Sequence, residues 1–490
     1  MPQEQLEALD RLHTAPALRA ERKRKAELGQ FMTPSSVARF MASLFPSNAA
    51  PTCRLLDAGA GMGALSSAFL DRWQAGGFDF RSVEVTAYEV DDDLRALLAQ
   101  RFSAYREVTS HINAGDYIQL ATEEGLPGDG YTHAILNPPY KKINSQSAHR
   151  LALRRVGIET VNLYAAFVAL ALMQAAQGGH IVAIIPRSFC NGPYYRPFRE
   201  FILERAAIRR MHLFEARNKA FKEDEVLQEN VIIHLERGGE QGSVMVSTST
   251  DDTFGDLAIH EHPFDRVVFP DDPEQFIHVP TSPESNAIER SSAIRSTLAD
   301  LDIKVSTGPV VDFRLKEHLR KMPGEGTVPL LYPGHFSSDG TTWPIEGCKK
   351  PNAIERNAET EKWLYPSGFY CVVRRFSSKE EKRRIVASVV DPSTFGEAPV
   401  LGFENHLNLF HDGKTGLPEA LARGLAVFLN TTAIDECFRR YSGHTQVNAT
   451  DLKRMNYPTR EMLIELGEWA MKQETLTQDE IDAKLGNLIA

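Results

Sequence analysis

Four consecutive residues, Asn137-Pro138-Pro139-Tyr140, carry the most pointed chemistry in this 490-residue chain. They follow an apolar run, His133–Leu136, of the kind that forms a short buried strand. Two prolines cannot continue a central strand, because they lack the N–H that the ladder needs and their φ is fixed. The chain must therefore leave the sheet in a rigid turn. That turn presents a side-chain amide (Asn137), a carbonyl with no ladder partner (Pro138) and an aromatic face (Tyr140), with Pro139 stiffening it. Such a platform suits gripping a planar group that carries an –NH2.

Three other places upstream could supply a neighbouring ligand site. Arg54–Asp57 has the pattern of a strand, runs into Ala58-Gly59-Ala60-Gly61-Met62-Gly63, and is followed by an apolar helical run, Ala64–Trp73. Glycines between strand and helix let a ligand approach the backbone closely, although the spacing is not that of a pyrophosphate loop. A second strand, within Ser82–Val90, ends in Glu89, whose carboxylate can accept both hydroxyls of a ribose. Asp91–Asp93 beside it are expected to cap the next helix. The third place is Asn113–Tyr117, where Asp116 could accept an adenine amino group with Tyr117 against the ring. An isolated Asp in a turn is ordinarily structural, and the intervals from Gly59 and Glu89 favour the ligand. These strand ends and Asn137–Tyr140 are expected along one edge of a doubly wound sheet, where ligands bind.

The rest of the chain must hold that edge in place. A charged N-terminal segment, Gln3–Leu28, has a helical pattern; Gly29-Gln30-Phe31-Met32-Thr33-Pro34 then precedes an amphipathic run, Ser35–Leu44. Thr33 or Ser35 is sufficient as a helix cap, and the loop could also close over a charged cofactor. Helix and strand signals alternate through Val161–Leu235: an apolar helix, Val161–Ala176, is expected to end at Gly178-Gly179, a buried strand follows at His180–Pro186, and a polar stretch, Ala216–Glu229, holds one aromatic, Phe221. Such an aromatic is commonly a loop anchor and could equally wall a slot opposite Tyr140. The expected domains are residues 1–245, an acidic Pro-rich connector 246–302, a second domain 303–460 of short strands and helices, and an acidic helical tail 461–490. In the second domain, the basic stretch within Cys371–Arg384 (Arg374, Arg375, Lys382, Arg383 and Arg384) and the polar loop Ser442–Asn448 (His444, Gln446 and Asn448) are candidate nucleic-acid contacts. A solvated strand pair is the plainer reading of the basic stretch taken alone. The net charge of −10 weighs mildly against such a partner, but it is concentrated elsewhere. Five scattered cysteines with no Cys-x-x-Cys pair fit a reducing cytoplasm and give no reason to expect a metal, and no apolar run reaches membrane-spanning length.

In this order, Gly29–Pro34, Asp57–Gly61, Glu89, Asp116 and Asn137–Tyr140 resemble the motifs of the gamma-class DNA adenine-N6 methyltransferases, the TaqI-like and Eco57I-type restriction–modification methylases. Ala220-Phe221 with Val231–Ile233, and the segments Val328–Trp343 and Phe369–Pro458, are similar to that family's aromatic loop and C-terminal target-recognition domain. The resemblance implies a Rossmann-like class I methyltransferase domain, α/β with a mostly parallel seven-stranded sheet, plus an α+β recognition domain. It also implies S-adenosylmethionine as cofactor. Phe31, Thr33, Asp57, Gly59, Gly61, Glu89, Val90, Asp116, Tyr117, Asn137 and Pro139 would bind it, and an adenine flipped from double-stranded DNA would stack on Tyr140 and Phe221. A monomeric cytoplasmic enzyme is expected, any cognate restriction endonuclease acting as a separate protein. The same Asn-Pro-Pro-Tyr turn occurs in glutamine-N5 methyltransferases acting on protein, which would leave the second domain without a role. RNA adenine methylation is the other alternative.

Overall fold

The computed structural model describes residues 33–47, 51–123, 129–215, 229–270, 272–282, 288, 291, 293–337, 340–377, 381–442 and 446–489. The chain divides into two compact units, Met1–Pro283 with Tyr441–Gly443, and Glu284–Arg440 with His444–Ala490.

The first unit is built on strands β1 (Thr52–Ala58), β2 (Ser82–Glu89), β3 (Val108–Ala114), β4 (Tyr131–Leu136), β5 (Ala175–Pro186), β6 (Ala206–Phe214), β7 (Asn230–Arg237), β8 (Val244–Ser249) and β9 (Ala258–His262). They form one sheet in the order β3-β2-β1-β4-β5-β7-β6-β8-β9. The strands β3 through β5 run parallel, and β7 lies antiparallel between β5 and β6. The order reverses between β1 and β4, so the edge where their carboxyl ends meet is the topological switch point. This is the expected Rossmann-like class I arrangement, with a sheet of nine strands in place of seven.

Residues of the central strands alternate between two cores, which is why they read as unbroken apolar runs. Leu55, Ile135, Val182 and Ile184 face α1 (Ser35–Ser43), α2 (Ala64–Gln74) and α3 (Asp92–Phe102). Leu56, Leu136, Ile181 and Ala183 face the other side, where α4 (Tyr117–Glu123), α5 (Ala148–Arg155), α6 (Leu163–Gln174) and α7 (Arg196–Arg205) pack.

Two expectations change here. The sheet continues through β8 and β9, so the first unit extends to Pro283, well past residue 245. Buried Val244 and Val246 and a parallel pairing with β6 draw this segment into the sheet, whereas the acidic, Pro-rich composition belongs to the chain beyond β9. The glycines 178–179 do not end a helix. They lie inside β5, where its register against β4 jumps from Tyr131↔Ala175 to His133↔His180.

The second unit contains β10 (Lys304–Thr307), β11 (Leu319–Arg320), β12 (Thr327–Leu331), β13 (Phe336–Ser337), β14 (Gly340–Thr341), β15 (Ala353–Glu355), β16 (Leu364–Pro366), β17 (Tyr370–Arg374), β18 (Ala387–Val390), β19 (Val400–Phe403) and β20 (Leu407–His411). A four-stranded sheet, β10-β20-β17-β18, and a five-stranded sheet, β11-β15-β12-β19-β16, make up most of it. Helices α8 (Glu419–Leu429), α9 (Thr432–Tyr441), α10 (Ala449–Arg454), α11 (Arg460–Ala470) and α12 (Gln478–Ile489) complete it. Residues 461–489 are no appended tail. Helix α11 is pressed against α8 at two glycines: a Cβ at Gly424 would lie 1.7 Å from the Leu463 carbonyl oxygen, and one at Gly467 would lie 1.7 Å from that of Ala420. Among the described residues no helix is long and apolar enough to cross a membrane.

Candidate active site at the strand ends

Asn137 to Tyr140 leave β4 at the switch point as the pattern of the turn requires. The Asn137 amide is oriented from far away in sequence: its Nδ2 donates to Thr33 Oγ1 at 2.9 Å. This leaves Oδ1 as the acceptor end. The Tyr140 hydroxyl lies 3.2 Å from Asn137 Oδ1 and 3.3 Å from the Ile184 carbonyl oxygen, and its single proton serves one of them at a time. The Tyr140 ring is half-buried and meets Tyr164 edge-on, with centroids 6.2 Å apart. Among the described residues no donor occupies the Pro138 carbonyl.

The glycine turn sits beside it. Gly59 and Gly61 have φ of +75° and +55°, a backbone region that favours glycine, and the Gly59 N–H donates to the Tyr88 carbonyl at 2.9 Å. Asp57, the last charged residue of β1, is fully buried; the Ser66 hydroxyl in the first turn of α2 donates to its Oδ2. Its Oδ1 has no partner among the described residues. Burial pushes the Asp57 carboxyl up to about 7, the Ser66 bond pulling down and the charge of Glu89 adding upward. A buried carboxylate oxygen without a donor, next to open backbone, fits a cationic ligand group.

Glu89 ties two of these places together. One carboxylate oxygen accepts the Gly61 N–H at 2.8 Å and the other the Asp91 N–H at 2.9 Å. Each oxygen has a second lone pair, which is what binding two adjacent hydroxyls requires. The next residue, Val90, is an apolar side chain left 53% exposed. Asp91 caps α3 as expected, accepting from the N–H groups of Asp93 and Leu94.

Asp116 and Tyr117 depart from expectation to different degrees. Asp116 stays on the edge, with Oδ1 accepting the Gln119 N–H at 3.0 Å and Oδ2 2.9 Å from His149 Nε2. Tyr117 is turned into the core, its hydroxyl donating to Gln174 Oε1 at 2.8 Å and its ring packed on Tyr88 and Phe167. It opens α4, whose inner face points at α6, so the ring that would flank a base here is a packing residue. Val90 is the exposed apolar group that remains at the edge.

The second unit revises the basic set more strongly. Arg384 is 1% exposed, with Nε donating to Ser377 Oγ and its guanidinium over the Phe438 ring, so it cannot reach a phosphate. Arg383 donates to Gln478 Oε1 and the Thr431 carbonyl, Arg374 pairs with Glu381, and Arg375 donates to the Asn405 carbonyl and Gln446 Oε1. Asn448 is the N-cap of α10 and donates its backbone N–H and Nδ2 to Asp451 Oδ2. Lys382 alone of the set is exposed with no side-chain partner among the described residues. These cations fasten the β17–β18 hairpin to its own unit, a use that composition does not reveal. Phe31, Phe221 and His444 lie outside the described residues.

Residues not foreseen include two that act on foreseen ones, Ser66 on Asp57 and His149 on Asp116, and a pair that acts on the sheet, Arg187 with Glu229. The last two form a buried ion pair at 2.8 Å where β5 ends and β7 begins, reinforced by a 2.7 Å bond from the Arg187 N–H to the Glu229 carbonyl. Only Ser66 had a sequence signal, as a hydroxyl in the first helical turn after a strand–glycine turn.

Residues 93–221 match the Eco57I restriction-modification methylase family. Over 498 aligned residues the chain is 51% identical to the type II methyltransferase M.BsuBI of Bacillus subtilis, covering 99% of this chain and 98% of that one. It is 43% identical over 454 residues to the type II methyltransferase M.PstI of Providencia stuartii, covering 90% and 88%. In fold it is similar to the protein of a cryo-EM DrdV–DNA complex, with a TM-score of 0.51 at 12% identity over 91% of this chain and 57% of that one.

Proposed function

Because the chain belongs to the type II methyltransferases of restriction–modification systems, we propose that it methylates N6 of an adenine flipped out of double-stranded DNA at a specific sequence. The observation that carries this reading is the oriented Asn137 amide, with its NH2 engaged by Thr33 and its oxygen turned to accept. S-adenosylmethionine is the cofactor to which the strand ends are suited, and when bound it supplies an electrophilic sulfonium methyl group. Its ammonium end matches the unpartnered Asp57 oxygen and the Gly59–Gly61 backbone, with Thr33, Asn137 and Pro139 alongside. Its ribose hydroxyls match Glu89; its adenine ring and amino group match Val90 and Asp116.

An adenine inside a duplex cannot reach this edge, so it must be extruded at a cost of about a few kcal/mol. Stacking on Tyr140, and on Phe221 if it takes the role the resemblance implies, would offset roughly 1–3 kcal/mol per contact. The N6 amino nitrogen is a poor nucleophile because its lone pair is delocalised into the ring. Asn137 Oδ1 and the Pro138 carbonyl accept its two hydrogens and favour a pyramidal nitrogen, whose lone pair then points out of the ring plane for in-line attack. N6 would take up the methyl group that bound S-adenosylmethionine would supply, its sulfur leaving as a neutral thioether, and would thereby gain a positive charge. The two oxygens and the Tyr140 face stabilise that charge until a proton leaves to solvent. No strong general base is required, and Asp57 and Asp116 are committed to binding.

The test is methylation of genomic DNA from a methylation-free host, followed by long-read detection of modified bases. Modified adenines in one short sequence context are expected. Methyl transfer to protein, with none to DNA, would overturn the proposal.

A further inference from the structure

From geometry around the catalytic turn we infer that the first unit carries its own grip on the DNA backbone, formed by Lys141, Lys142 and Tyr194. This rests on the proposal that DNA is the substrate. Lys141 and Lys142 follow Tyr140 directly, both are exposed, and among the described residues neither side chain has a hydrogen bond or ion pair. Their backbone is nevertheless fixed. The Leu163 N–H donates to the Lys141 carbonyl at 2.8 Å, the Ile143 N–H donates to the Val161 carbonyl at 2.7 Å, and Lys142 and Asn162 form an antiparallel bridge between these bonds. Two uncompensated ammonium groups on a rigid edge, in a chain of net charge −10, are what contact with a polyanion requires.

The same edge is fastened to a third segment. Asn162 Nδ2 donates to the Tyr195 hydroxyl, and the Tyr195 ring stacks on Tyr164 with centroids 5.8 Å apart. Tyr164 in turn meets Tyr140 edge-on, and its hydroxyl lies 3.2 Å from Ser188 Oγ. Buried Arg199 clamps the turn before Tyr194 by donating to the Phe189 and Gly192 carbonyls at 2.9 and 2.8 Å. Tyr195 is thereby held inside, while its neighbour Tyr194 is left 75% exposed. A tyrosine presented this way by a rigid turn has no packing role in the unit. It offers a flat face to a sugar or base next to the extruded nucleotide, while the lysines take the flanking phosphates.

The experiment measures binding of the full-length protein to a duplex carrying the sequence context in which long-read detection finds the modified base, over a series of salt concentrations. Lys141→Ala/Lys142→Ala should weaken binding roughly tenfold at physiological salt and reduce the slope of log K against log salt by about 2. Lys141→Arg/Lys142→Arg should restore the slope. Tyr194→Ala should weaken binding by roughly tenfold with the slope unchanged, because stacking releases no counterions. Circular dichroism and S-adenosylmethionine affinity like those of the wild type would show that each variant is folded. A wild-type slope in the double alanine variant would overturn the phosphate grip, and undiminished binding by Tyr194→Ala would overturn the stacking contact. Absence of DNA methylation by the wild-type protein would instead overturn the proposed function on which this inference rests.

Discussion

At the strand ends of the first unit, Asp57, Glu89 and Asn137 bring carboxylate and amide oxygens to an open sheet edge, and one oxygen of buried Asp57 has no partner among the described residues. At the β17–β18 hairpin of the second unit, Arg374, Arg375, Arg383 and Arg384 spend their donors on partners within the same unit. Both regions are rich in polar side chains, and only one of them faces outward chemically. A site is marked by acceptors left incompletely satisfied at an open, rigid edge, whereas guanidinium groups that donate mainly within their own unit are architecture.

The largest expected effect separates the two units by acid. His133, His212 and His234 are buried in the first unit and held neutral, burial lowering each from 6.5 to about 3. A histidine with a depressed folded value lends its full stability above about 6.5 and loses it as pH falls toward 3. The loss is at most about 1.4 kcal/mol per pH unit for each group. Asp57, raised from 3.8 to about 7, works in the opposite sense over that interval and offsets about one histidine. Thermal unfolding followed from pH 7 to pH 5 should show the first unit failing early, and His133→Phe, which keeps the ring among Phe45, Phe69 and Phe80, should flatten the decline.

Next in size is the buried pair at the β5–β7 junction. Glu229→Ala leaves the Arg187 guanidinium without its carboxylate and should cost about 3–5 kcal/mol in denaturant unfolding. In the second unit, Arg384→Met should cost about 2 kcal/mol, since it removes a charge-assisted bond from a packed site. Its DNA-binding salt slope should match that of the wild type; a shallower slope would return Arg384 to the phosphate contacts. Smallest is Thr33→Val, which releases the Asn137 amide. Loss of one hydrogen bond, about 1 kcal/mol, should slow single-turnover methyl transfer roughly fivefold.

Legibility in the sequence divides along the same line. Asp57, Gly59, Glu89 and Asn137 were legible as strand-end positions because each lies within one residue of the end of a strand, so a short stretch of sequence contains both the element and the group it presents. The nine-stranded sheet was only partly visible: β8 and β9 lie next to acidic, Pro-rich chain, and averaging composition over both hid them. Tyr117 was misplaced because position after a strand says nothing about which face of α4 a ring occupies. The Thr33–Asn137 bond joins residues 104 positions apart, and no local pattern encodes it. Inward-turned arginines were the hardest to foresee, because a guanidinium looks alike in sequence whether it donates to Ser377 and the Thr431 carbonyl or faces solvent.

The most direct measurement is nucleoside mass spectrometry of DNA after incubation with the wild-type protein or Asn137→Ala, alongside S-adenosylmethionine binding by both. The expected result is N6-methyladenine from the wild type and at least about 100-fold less from the variant, the loss typical of removing one preorganised polar group at a reacting centre. S-adenosylmethionine affinity should change by only a few-fold. Near-normal transfer by Asn137→Ala, or methylation of cytosine by the wild type, would contradict the adenine-N6 site at this turn.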